Sequence, residues 1–187
     1  MKEIKIFGRG GQGVVTGAQI LATAAFIDGL WSQTFPQFGA ERRGAPVIAY
    51  VRVASELLKT HDKIYNPDVV VVMDSHLFKM GNPLEGIKAG GRVIVNCRDE
   101  KTELTPYLPE DLGGVFAIDA TTVAHQLYGK TTIPITNIII VGAYCAAEKD
   151  MSLESVYKAL PDYFPEKRVE VNRKAARMGY ENLRGIS

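Results

Sequence analysis

Four consecutive valines followed by a methionine, Val69 to Met73, constrain the fold more than any other feature of this chain. A strand with one wet face alternates apolar and polar residues. A run that is apolar at every position must be covered on both faces, as in the middle of a parallel sheet. Val93–Val95 and Val115–Ile118 repeat the pattern, each after a glycine pair, Gly90-Gly91 and Gly113-Gly114. Ile4–Phe7, Trp31–Phe35 and Val47–Val53 read as further strands. Helical spacing of apolar residues marks Val14–Phe26, Ala120–Tyr128, Asn137–Glu148, Leu153–Leu160 and Glu166–Leu183. The alternation predicts an α/β fold: one doubly wound, mostly parallel sheet with helices on both faces, spanning residues 1–187 as a single domain.

Composition narrows the function. The chain has 187 residues, enough to bury a sizeable core, and no repeat or linker divides it. Lys and Arg number 22 against 21 Asp and Glu, a net charge of +1, which argues against a nucleic-acid binder working through a broad basic face. The longest apolar run, Ile138–Ala147, is too short for a membrane span, and Met1–Ile6 enters strand-like alternation without the apolar core of a signal peptide. The expectation is a soluble, cytoplasmic protein that binds neither nucleic acid nor membrane. Two cysteines, Cys97 and Cys145, are too few for a zinc site or a cysteine-ligated iron–sulfur cluster on this chain alone, so no metal site is expected here.

Ligands of parallel α/β sheets bind beyond the carboxyl ends of the strands, so the segments to watch are 8–13, 37–46, 74–76, 96–99 and 119–122. The first, Gly8-Arg9-Gly10-Gly11-Gln12-Gly13, matches G-x-G-x-x-G between a strand and a helix. Such glycines let backbone N–H groups approach an anion at a helix N-terminus, or simply make a tight turn that packs helix on sheet. A dinucleotide site also needs an acidic residue about 20 positions on, for a ribose hydroxyl. That stretch reads Ser32-Gln33-Thr34-Phe35-Pro36-Gln37, without a carboxylate before Glu41, so a nicotinamide dinucleotide is not expected.

The second segment, Phe38-Gly39-Ala40-Glu41-Arg42-Arg43-Gly44-Ala45-Pro46, offers adjacent guanidinium groups for phosphate or carboxylate, or is a solvated connection. Asp74 and Asp119 end strands and are expected to cap the following helices. His61, His76 and His125 stand singly, although His76 lies beside Asp74. The cysteines read as small buried hydrophobes. From Glu166 to Arg184 basic residues exceed acidic ones, a solvated face or a docking surface for an acidic partner or for phosphates.

Taken in order, Gly8-x-Gly10-Gly11-Gln12-Gly13-Val14, then Gly39-x-Glu41-x-Arg43-Gly44, then Asn137-x-x-x-Val141-Gly142-Ala143 resemble the gamma subunit of the 2-oxoacid:ferredoxin oxidoreductases, particularly the pyruvate synthase type. The resemblance runs from Ile4 to about Ala175. It implies a Rossmann-like domain in a multi-subunit enzyme that converts a 2-oxoacid and coenzyme A to acyl-CoA and carbon dioxide, reversibly, while reducing ferredoxin. Thiamine diphosphate, magnesium and iron–sulfur clusters would sit on alpha-, beta- and delta-type companion subunits. This chain alone would carry no catalytic residue. It would complete the complex and help accommodate coenzyme A. The resemblance gives Gly8, Gly10, Gly11, Gln12, Gly13, Val14, Glu41, Arg43, Gly44 and Asn137 as residues of the coenzyme A, anion or interface loops. Gln37-Phe38-Gly39-Ala40 and Ala45 depart from the usual turn residues, which keeps a branched-chain 2-oxoacid or indolepyruvate enzyme open, as well as a purely structural assembly subunit. A homodimer is a further expectation for the chain expressed alone.

Overall fold

A computed structural model describes residues 1–37, 45–60, 62–98 and 104–186. Among these, seven strands form one sheet: β1 (Lys2–Arg9), β2 (Trp31–Gln37), β3 (Pro46–Ala54), β4 (Val69–Val72), β5 (Arg92–Asn96), β6 (Gly114–Ile118) and β7 (Arg184–Ile186). Their order is β2-β3-β1-β4-β5-β6-β7. The centre β1-β4-β5-β6 is parallel, β4 pairs on both sides, and packing on both faces buries Val69–Val72 at every position. Both flanks are antiparallel: β3 runs against β1 and β2, and β7 against β6. The sheet is therefore mixed, with the expected parallel core.

The α-helices are α1 (Val14–Ile27), α2 (Ala120–Tyr128), α3 (Asn137–Glu148), α4 (Leu153–Ala159) and α5 (Glu166–Glu181). Strand parity sorts the core into two layers. Ile4, Ile6, Val69, Val71, Ile94 and Ile118 pack in one cluster with all five helices. Phe7, Val70, Val72, Val93, Val95 and Ala117 pack in the other with Leu77, Phe78, Leu84 and Leu104. The second layer thus closes with two 3-10 turns (Ser75–Lys79 and Thr105–Tyr107) and irregular chain among the described residues, while the α-helices gather on the first. Unbroken burial along the central strands shows that both faces are covered; it does not say by what, and the α-helices expected on both faces gather on one among the described residues.

The helix layer is drawn tight at one crossing. A Cβ on Gly142 of α3 would overlap the carbonyl of Ala176 in α5, and one on Gly179 of α5 would overlap the carbonyl of Ile139 in α3. The two backbones therefore touch directly, and only glycine fits at either position. This crossing holds α3 so that its first residue, Asn137, faces the glycine loop.

Candidate functional site

The parallel strands deliver their last residues to one edge of the sheet, where Arg9, Asp74, Asn96, Cys97, Arg98 and Asp119 meet. Thr121, Thr122 and His125 of α2, together with Thr131 and Thr132, complete a cleft of about 550 Å³. Its floor is braced by Asn96, which is almost wholly buried. Its Nδ2 donates to the Met73 carbonyl at 3.0 Å and to Thr121 Oγ1 at 3.0 Å, and its Oδ1 accepts from the Thr121 N–H at 3.3 Å.

Both aspartates cap, as expected. Asp119 accepts from Thr122 N–H at 2.9 Å and Thr122 Oγ1 at 2.8 Å. Asp74 Oδ1 accepts from His76 N–H at 3.0 Å and sits 2.9 Å from His76 Nδ1. Its other oxygen lies 2.9 Å from the buried Arg9 Nε, off the N–H axis, so this contact acts as an ion pair and not as an aligned hydrogen bond. Arg98 is exposed at the rim and has no ion pair among the described residues. His125 Nε2 is buried at the cleft wall without a hydrogen-bond partner among those residues.

The glycine loop turns inward. Gln12 is 3% exposed, and its Oε1 accepts from the Arg9 N–H at 2.8 Å. The Gly10 N–H donates to the Ala45 carbonyl at 2.9 Å and the Gln12 N–H to the Arg9 carbonyl at 3.0 Å. Three backbone donors near the turn are thus committed within the chain, and an anion would have to displace their acceptors. Gly11 and Gly13 have positive φ, 97° and 80°, which no other residue adopts without strain. Space explains the rest. A Cβ at Gly8 would strike Val14, one at Gly13 would strike the Asn137 carboxamide, and one at Gly17 would crowd the Asn137 Cβ. Val14 and Asn137 are both buried. Gly8, Gly10, Gly11, Gln12, Gly13, Val14 and Asn137 are therefore brought together as one packed joint between β1, α1 and α3. Glu41, Arg43 and Gly44 lie outside the described residues.

Cys97 belongs to the core layer under the 3-10 turns and Cys145 to the helix layer, on opposite sides of the sheet. Burial pushes the Cys145 thiol up to about 12. The pair does not suit an iron–sulfur cluster, and no group of three or more His, Cys, Asp or Glu among the described residues could hold a metal ion. Likewise no helix of those residues is long and apolar enough to cross a membrane. The basic residues of α5 border a groove of about 560 Å³, where Arg173, Lys174 and Arg177 alternate with Glu154, Glu170 and Glu181. Its charges balance locally.

The chain matches the family described as pyruvate ferredoxin/flavodoxin oxidoreductase over residues 3–182. It belongs to that family. It is 44% identical over 181 residues, covering 97% of this chain and 96% of its relative, to the pyruvate/ketoisovalerate oxidoreductases common subunit gamma of Thermococcus litoralis. It is 45% identical over 184 residues, covering 98% and 97%, to the pyruvate synthase subunit PorC of Methanocaldococcus jannaschii. The crystal structure of pyruvate oxidoreductase subunit PORC from Thermotoga maritima superposes with a TM-score of 0.83 at 31% identity, covering 100% of this chain and 98% of that one. The family expected from the glycine loop, the Gly39-x-Glu41-x-Arg43-Gly44 motif and the α3 start is therefore the right one, and the α/β fold matches that of the Thermotoga maritima subunit.

Arg9, Asn96, Thr121 and Thr122 all fall within the segments expected to meet a ligand, 8–13, 96–99 and 119–122, although no residue pattern gave any of them a role of its own. The signal was positional, since all four lie at or just beyond the carboxyl ends of parallel strands.

Proposed function

We propose that this chain is the gamma-type subunit of a pyruvate:ferredoxin oxidoreductase complex, and that two neighbouring parts of it divide the work. The glycine loop is an internal joint that fixes α1 and α3 against the sheet. The strand-end cleft, with Arg98 at its rim and Arg9 in its wall, receives an anionic part of coenzyme A. The observation that carries this division is the inward commitment of the loop donors beside an open, polar cleft. Among the described residues no carboxylate pairs with the Arg98 guanidinium, which suits a phosphate that it can meet with paired N–H donors.

In this reading the alpha-, beta- and delta-type companions hold thiamine diphosphate, magnesium and the clusters, and pass electrons to ferredoxin. Among the described residues no group of three or more His, Cys, Asp or Glu could hold a metal ion. This chain's own contribution is to orient one substrate and to wall the site, with no proton or electron moved on its residues. The names of the relatives favour pyruvate, or pyruvate and a branched-chain oxoacid together, as the substrate.

Pull-down of the tagged chain from its native cell extract tests the assignment. The eluate should contain thiamine- and iron-bearing partners and reduce a viologen dye with pyruvate only when coenzyme A is present. A solitary chain, or partners active only with another oxoacid, would contradict it.

A further inference from the structure

Behind segment 129–136, which walls the strand-end cleft, lies a second and more enclosed cavity of about 250 Å³ between α2 and α5. Ala124, Tyr128, Pro134, Ile135 and Phe164 give it apolar walls. Its polar lining is Thr131, Asn137, Arg168 and Asn172, with no aspartate or glutamate. Asn172 is 4% exposed, and its Oδ1 accepts a hydrogen bond from the Tyr128 hydroxyl at 2.7 Å. The carboxamide oxygen is thus occupied, and the Nδ2 group is the end left to donate. Arg168 stands exposed at the mouth.

From this lining we infer that the cavity binds a compact carboxylic acid, one carboxylate on a short apolar body. The Asn172 amide N–H and the Arg168 guanidinium, with no aspartate or glutamate in the lining, form a donor set that matches a carboxylate, and the aromatic and aliphatic walls match a few carbons behind it. The Thr131 hydroxyl donates to the Ile133 carbonyl at 3.0 Å and contributes shape only. The volume is below the range typical of drug-sized ligands, which limits the body to a handful of carbons. Burial, opposed by the nearby Arg168 charge, pushes the Tyr128 phenol up to about 12. It therefore stays protonated at physiological pH and keeps Asn172 in one orientation.

The inference does not rest on the coenzyme A reading, because Asn172 and Arg168 do not line the strand-end cleft. Thr131 and Pro134 line both spaces, so an occupant here would brace the shared wall.

Titration of the full chain with isovalerate, followed by calorimetry and by amide chemical shifts, tests it. Saturable binding is expected, with shifts centred on Tyr128, Phe164 and Asn172. Isovaleramide has the same shape without the charge and should bind about tenfold more weakly, the loss of roughly one charged contact. Arg168→Gln alters an exposed side chain that the core does not need, and should weaken isovalerate binding by a similar factor. Asn172→Leu should abolish it. Absence of saturable binding, equal binding of acid and amide, or an unchanged affinity in Arg168→Gln would each overturn the proposal.

Discussion

Two regions of this molecule depend on glycine, for different reasons. At the α3–α5 crossing, Gly142 and Gly179 let backbone meet backbone, and the atoms a methyl would strike are carbonyl oxygens held in helices. At the β1–α1 loop, the space beside Gly8 and Gly13 is filled by the buried side chains of Val14 and Asn137. The first contact is rigid and has one solution. The second is a fitted joint whose partners can be exchanged, and it is the one beside the cleft. A glycine motif near a ligand edge can therefore be read as packing when several of its backbone donors and the space beside its glycines are already filled from within the chain, as at Arg9, Gly10 and Gln12.

Substitutions at the crossing should have the largest effect. Gly142→Ala or Gly179→Ala must push two helices apart, and a loss of about 3 kcal/mol or more is expected in urea unfolding. A loss below about 1 kcal/mol would mean that the crossing yields as easily as the loop. Gly13→Ala comes next, combining a left-handed backbone with displacement of Asn137, at about 1–2 kcal/mol. The double variant Gly13→Ala with Asn137→Ala sharpens this. Removing the carboxamide should return part of the loss, giving a coupling energy of about 0.5 kcal/mol or more, whereas strict additivity would show that the two do not share space.

Gln12→Ala should cost about 1 kcal/mol by leaving the Arg9 N–H without its acceptor, and Gln12→Glu, which keeps an acceptor, should cost less. The smallest effect lies at the far end of α1. Burial acts to raise the pKa of Asp28, but hydrogen bonds from the Ser152 N–H and the Ser155 and Ser152 hydroxyls outweigh it and hold the pKa below the usual 3.8. The folded state therefore binds that proton more weakly than the unfolded chain. The stabilisation is complete above the usual aspartate value and is lost as pH falls through the lowered one. Asp28→Asn should thus be less stable than the parent at neutral pH, and the gap should close in acid.

Much of the sheet was legible because burial on both faces leaves a continuous apolar run, as in Val69–Val72, which no exposed segment would tolerate. Helix α2 follows its expected Asp119 cap, and both α2 and α3 span the residues that apolar spacing marks. Apolar spacing carries α5 to Leu183, yet the helix stops at Glu181 and Arg184–Ile186 adds an edge strand too short to carry a period of its own. Which layer the helices occupy was not legible, since Val70 and Val71 look alike although one packs under a 3-10 turn and the other under helices. The glycine loop was visible as a motif, but its inward closure depends on the Gln12 side chain and on Asn137, over a hundred residues away, meeting in space. The cleft polar groups come from separate strand ends, and no local pattern joins them.

The central claim, that the strand-end cleft and not the glycine loop meets coenzyme A, is tested most directly by steady-state kinetics of the assembled complex carrying Arg98→Gln. Loss of one guanidinium–phosphate contact should raise the apparent KM for coenzyme A by about tenfold and leave the KM for pyruvate unchanged. An unchanged coenzyme A KM in Arg98→Gln would contradict the account, most sharply if Gln12→Ala raised it while the complex stayed whole.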